Sequence, residues 1–155
     1  MSLLERLNGI TAFEEQIEEA QAVSELLEEV ESPEYIPAVL AMFERNAEED
    51  DFGVFHAYSN YIEAVEADTL VDGKTVAEWL QESVKRAPMW KTCELLTMFV
   101  STEQAMRVYL EILGQPSLKD SSEEVATESL RELLDDFSDE IEDAELLQQV
   151  RQQLG

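Results

Sequence analysis

The chain reads as an all-α protein of about eight helices in antiparallel hairpins, stacked as a HEAT-like right-handed array or closed into a compact helical bundle. Three observations carry this reading. Apolar residues recur three and four apart along almost the whole length, the spacing that gathers side chains on one face of a helix. No segment shows the apolar/polar alternation of a half-buried strand. Breakers are few, with five glycines and four prolines in 155 residues. This length suits a single all-helical domain over residues 1–155, large enough to bury a core without cross-links.

A first helix is expected at about 11–30, with Phe13, Ile17, Ala20, Leu27 and Val30 on one stripe and glutamates opposite. Ser32 as N-cap and Pro33 at the first helical position open a second over about 33–46, since proline lacks an N–H that a helix start leaves unpaired anyway. Its buried side is Ile36, Val39, Leu40 and Phe43. A third runs from Asp51 to about Ala67, with Val54, Phe55, Tyr58, Tyr61, Ile62 and Val65 in one arc. Asp72 and Gly73 form a turn. Thr75 and Glu78 make a capping box for a fourth helix reaching about Arg86, whose apolar side is Val76, Trp79, Leu80 and Val84.

The fifth segment, MWKTCELLTMFV, distributes apolar residues from Met89 to Val100 around nearly the whole helical circumference and is expected to be central and buried. Ser101 with Gln104 caps a sixth helix through Leu113, and Ser121 with Glu124 caps a seventh carrying Ala126, Leu130, Leu133, Leu134 and Phe137. An eighth, from about Asp139 to Leu154, places Ile141, Ala144, Leu147, Val150 and Leu154 at helical spacing. Taken as four pairs, the helices give an uneven repeat that fits stacked hairpins without a sequence consensus.

Charge narrows the function. Thirty-six acids against ten Lys or Arg give a net charge of -26. Such a field repels nucleic acid and anionic lipid and attracts basic proteins, so the expected partner is a basic protein, with no direct nucleic acid and no membrane. The N-terminus lacks a cationic start followed by an apolar run, no stretch approaches a membrane span, and the single cysteine forms no intrachain disulfide, so a cytoplasmic location is expected.

Catalytic and cofactor chemistry find little support. EEDDFG and DDFSDEIEDAE lack the alternating ligands, central glycine and terminal glutamate of a calcium loop, and no Glu-x-x-His pair is present for a di-iron bundle. Cys93 sits in an apolar segment where a thiol behaves as a small hydrophobe, and the glycines are scattered rather than grouped as a phosphate loop. No enzyme activity and no cofactor are expected.

The segment EEDDFGVFHAYSNYIEA sets four consecutive acids against four aromatics and the only histidine. Two readings compete. Glu48, Glu49, Asp50 and Asp51 can surround Phe52 as an anchor for a basic partner, with His56, Asn60 and Glu63 continuing the outward face of the helix. Alternatively the acids complement the helix dipole, while the aromatics behind them are core. A second acidic cluster, Asp135, Asp136, Asp139, Glu140, Glu142 and Asp143, lies at the turn joining the last two helices and reads as a solvated face.

SPEYIPAVLAMFERNAEEDDFGVFHAYSNYIEAV, spanning about residues 30–67, resembles the helical-repeat immunity proteins of bacterial polymorphic toxin systems: a short helix of the type YIPAVLAMFE, an acidic turn, then a helix with an aromatic or histidine-containing core edge. The resemblance implies an immunity protein that binds a cognate basic toxin domain and occludes its active site without catalysis. It transfers no site residues, so Glu48, Glu49, Asp50, Asp51, Phe52, His56, Asn60 and Glu63 come from the charge and helix-face reading alone. Two alternatives stand beside it: an acidic nucleic-acid mimic that inhibits DNA-binding proteins, and a helical scaffold or adaptor.

Overall fold

The structure, a computed structural model, describes residues 2–46, 54–116 and 120–155. The protein is all-α. Among the described residues there are nine α-helices, two short 3-10 turns and one two-stranded ribbon. The chain gathers into two compact units, Met1–Ser83 and Val84–Gly155.

The first unit opens with a helix that the spacing analysis does not anticipate, α1 (Leu3–Asn8), capped by the Ser2 hydroxyl, which accepts from the Glu5 N–H at 3.1 Å. At six residues it is too short to show a period. The helix expected from residue 11 starts only at Ile17, as α2 (Ile17–Val30). The reason is Gln16, whose Oε1 accepts from the N–H groups of Thr11 (2.8 Å) and Ala12 (3.0 Å) while its Nε2 donates to the Gly9 carbonyl (2.9 Å). These bonds hold residues 9–12 as a loop and satisfy donors that a longer helix would have used. Phe13 is buried as expected but from this loop, and Val30 is 47% exposed.

Ser32 caps as expected, accepting from the Glu34 N–H at 3.5 Å, although the chain first makes a 3-10 turn at Pro33–Tyr35 before α3 (Ile36–Arg45). Ile36, Val39, Leu40 and Phe43 are all buried. Two polar side chains at the end of α3 tie it to the α1 loop. The Arg45 guanidinium donates to the Leu7 and Ile10 carbonyls, both at 3.1 Å, and buried Asn46 accepts from the Phe13 N–H at 3.0 Å while donating to the Met42 carbonyl at 2.8 Å.

In the described residues the third predicted helix is α4 (Val54–Glu63), which packs on α2. It ends before Ala67 because the Ala67 and Thr69 carbonyls accept from the N–H groups of Ala77 (3.1 Å) and Val76 (3.0 Å) across the following turn. That turn closes a ribbon of β1 (Leu70–Val71) and β2 (Lys74–Thr75), too short to show alternation in sequence. Asp72 and Gly73, with φ of 51° and 83°, both occupy left-handed backbone, as a two-residue hairpin turn requires. The Thr75–Glu78 capping box then opens α5 (Val76–Arg86): the Thr75 hydroxyl accepts from the Glu78 N–H at 3.1 Å and the Glu78 carboxylate from the Thr75 N–H at 3.4 Å.

The centre of this unit is aromatic. Phe55 meets Phe13 and Phe43 edge-on, each with ring centroids 5.0 Å apart, and Phe43 meets Tyr58 at 6.1 Å. Such edge contacts contribute about 0.5–1.5 kcal/mol each beyond burial. The buried Tyr58 hydroxyl donates to the Ala20 carbonyl at 2.7 Å, and Tyr61 donates to the Ser32 carbonyl. Burial holds both phenols protonated, that of Tyr61 pushed up to about 12.

The second unit contains α6 (Trp90–Phe99), α7 (Thr102–Leu113), α8 (Asp120–Phe137), a 3-10 turn at Ser138–Glu140 and α9 (Ala144–Leu154). The Ser101 cap forms as expected, accepting from the Gln104 N–H at 3.2 Å. Ser121 does not cap α8, which already includes Asp120. The expectation for the last helix also needs correcting. It begins at Ala144 rather than near Asp139, with Asp143 as its N-cap; Val150 is buried as expected, but Leu146 is buried beside it and Ala144 is exposed.

The largest correction concerns α6. Thr92, Cys93, Leu95 and Leu96 are buried against α7 and α8, but Trp90 is 53% and Met98 59% exposed. The helix is therefore not covered all round: Trp90, Glu94, Thr97 and Met98, all exposed, form a stripe at spacings of four, three and one.

Candidate functional site

Of the residues expected to meet a partner, Glu48, Glu49, Asp50, Asp51 and Phe52 lie outside the described residues. His56, Asn60 and Glu63 are all exposed, four and three apart on one face of α4, while Phe55, Tyr58, Tyr61 and Ile62 turn inward. The described aromatics of this segment are thus core, and the outward face is polar.

Electrostatically, six cations among the described residues are ion-paired within the chain. Arg6, Lys74, Lys85, Lys91, Arg107 and Arg131 pair with Glu19, Glu82, Glu111, Glu94, Asp143 and Glu128 at 2.5–3.3 Å. These partly exposed pairs add little stability. Their consequence is at the surface, where the remaining acids of α2, α4 and α8 have few cations of their own chain to neutralise them.

The second acidic cluster divides by role. The Asp143 carboxylate accepts from the Leu146 and Glu145 N–H groups, both at 3.1 Å, and from Arg107 at 3.1 Å. The Leu146 N–H foremost, then Arg107, holds its carboxyl below the ordinary range. A depressed carboxyl stabilises the fold above the unfolded-state value, roughly pH 4, and that contribution is lost as pH falls through the folded value. Asp143→Asn, which can still cap, is expected to lose less stability than the unaltered chain between about pH 6 and 3 in urea titrations. Equal acid sensitivity would contradict this role. Asp135, Asp136, Asp139, Glu140 and Glu142 remain solvent-facing or partly so.

One end of this cluster borders a feature that the sequence reading missed. A groove of about 430 Å³ lies between α6, α7 and α8. Its floor includes Cys93, Tyr109 and Ser129, with the Tyr109 hydroxyl donating to the Cys93 carbonyl at 3.2 Å. Burial raises both the Cys93 thiol and the Tyr109 phenol, so the floor carries no charge at neutral pH. Trp90 and Phe137, 53% and 37% exposed, line the groove together with Glu94, Glu132 and Asp136. Spacing treats both aromatics as core. The available signal is the interleaving of Glu94 and Thr97 with Trp90 on one face of α6.

Among the described residues no group of three or more His, Cys, Asp or Glu side chains converges as a metal site would. None of their helices is long and apolar enough to cross a membrane. Compared with protein-family models, curated proteins and solved structures, the chain matches none.

Proposed function

We propose that this chain is a binding protein that captures a basic protein partner and neutralises it, as an immunity protein in the cytoplasm blocks the active site of a cognate toxin domain. The observation that supports this most is the charge arrangement: a net charge of -26, with six described cations already ion-paired within the chain and acids left outward on helix faces. Steering by such a field raises the rate of encounter, while a few desolvated contacts set the lifetime of the complex. Helices suit this task because they present side chains on a fixed scaffold. Inhibition then follows from occlusion, with no bond made or broken.

The test is a basic toxin domain encoded beside this chain's gene. Near-stoichiometric inhibition of that toxin is expected, and replacing Asp50, Asp51 and Glu63 together by Lys should weaken binding at least about tenfold. Unchanged affinity in this variant would move the interface away from these residues. Absence of both binding and inhibition would overturn the function.

A further inference from the structure

We infer that the groove between α6, α7 and α8 is the receptor for an arginine side chain of the basic partner, an inference that rests on the function proposed above and names its contact. Trp90 and Phe137 line the groove while 53% and 37% exposed, so aromatic surface is left in contact with water. Glu132 and Asp136 stand four apart on α8, and like charges at this spacing destabilise a helix. Among the described residues no Lys or Arg is ion-paired with either of them, whereas Glu94 has Lys91 at 3.3 Å. A cation entering here relieves the repulsion and finds aromatic faces beside its carboxylate partners.

The chemistry selects the ligand. A hydrated metal ion has no apolar body to use Trp90, Phe137 and Leu133, and an apolar side chain leaves Glu132 and Asp136 without a partner. A second copy of this chain brings another -26 charges and is repelled. Guanidinium satisfies both demands, because its plane stacks on aromatic rings and its fork pairs with carboxylates, while the aliphatic stem covers Leu133. At about 430 Å³ the groove has the size of side-chain and small-ligand sites. The neutral floor adds no competing charge, leaving the electrostatic preference to the carboxylates.

The two tryptophans supply a built-in control. Trp79 donates its indole N–H to the Val71 carbonyl at 2.7 Å and has Lys74 at 4.6 Å from its ring, in the other unit. Indole N–H signals of the full chain are followed by NMR during titration with acetyl-Gly-Arg-Gly-amide and with its citrulline counterpart, a neutral isostere. The expected result is a saturable shift of the Trp90 signal, with Trp79 unmoved, from the arginine peptide only. Glu132→Gln with Asp136→Asn should weaken it at least about tenfold, and Trp90→Ala, at an exposed position, should do likewise with unchanged far-UV circular dichroism. Equal shifts from citrulline, or no shift at Trp90, would overturn the groove assignment. A basic partner that binds the Glu132→Gln, Asp136→Asn chain as tightly as the unaltered one would also overturn it, while the proposed function stood. Failure of the unaltered chain to bind any basic partner would remove both.

Discussion

Phe43→Ala is expected to destabilise the first unit by about 3–5 kcal/mol, lowering its thermal midpoint by at least about 10 °C. The side chain is fully buried and is the ring through which α3 meets α4, edge-on to Phe55 at 5.0 Å and to Tyr58 at 6.1 Å. Truncation removes the transfer energy of the ring and leaves a cavity that neighbouring rings, themselves fixed by Phe13 and by the Tyr58 bond to Ala20, are poorly placed to fill. Phe43→Leu should cost clearly less, since more of the volume is kept. Urea denaturation followed by circular dichroism checks both. A loss under about 1 kcal/mol for Phe43→Ala would show that the aromatic centre is not packed as described.

The second large effect is polar. Asn46→Ala is expected to cost about 1–3 kcal/mol, because the buried Phe13 N–H then loses its acceptor while the fold still hides it from water. Asn46→Asp separates the bond from the bulk of the side chain. Burial raises the pKa of the introduced carboxyl, so the native state holds its proton more tightly than the unfolded state, and stability falls as pH rises above roughly 4. This is opposite in sign to the acid-labile contribution of Asp143. A pH series of urea midpoints for Asn46→Asp should therefore decline towards neutrality relative to the unaltered chain, and a flat difference would contradict the buried position of this side chain.

Local signals in the sequence survive well in the structure. The inward positions of α3 and the caps at Ser32, Thr75 and Ser101 depend on residues within one turn of each other, so the sequence contains everything needed to read them. What escapes is decided by partners at a distance. Arg45 and Asn46 pin the α1 loop from more than thirty residues away. In a stretch as rich in acids as 135–143, spacing does not single out the cap of α9, which is Asp143, the carboxylate that also meets Arg107. Trp90 and Phe137 look like core because their spacing is that of core, and only three-dimensional packing shows the side left open.

The same distinction governs the candidate binding surface. Spacing alone places His56, Asn60 and Glu63 together on α4, and they are together and exposed. The groove draws its residues from three helices spanning Trp90 to Phe137 and had no local signature beyond the polar residues interrupting an apolar helix.

If the proposed function holds, an outward negative field meets a positively charged protein. The most direct measurement of this is the dissociation constant of the purified chain with its purified basic partner at ionic strengths between about 50 and 500 mM. Sub-micromolar binding is expected at the low end, weakening steadily with salt as surface charges are screened, and reversing Glu63 with Asp50 and Asp51 should give weaker binding with a shallower salt dependence. Affinity that is indifferent to salt across this range, or a tight partner that is itself acidic, would contradict it.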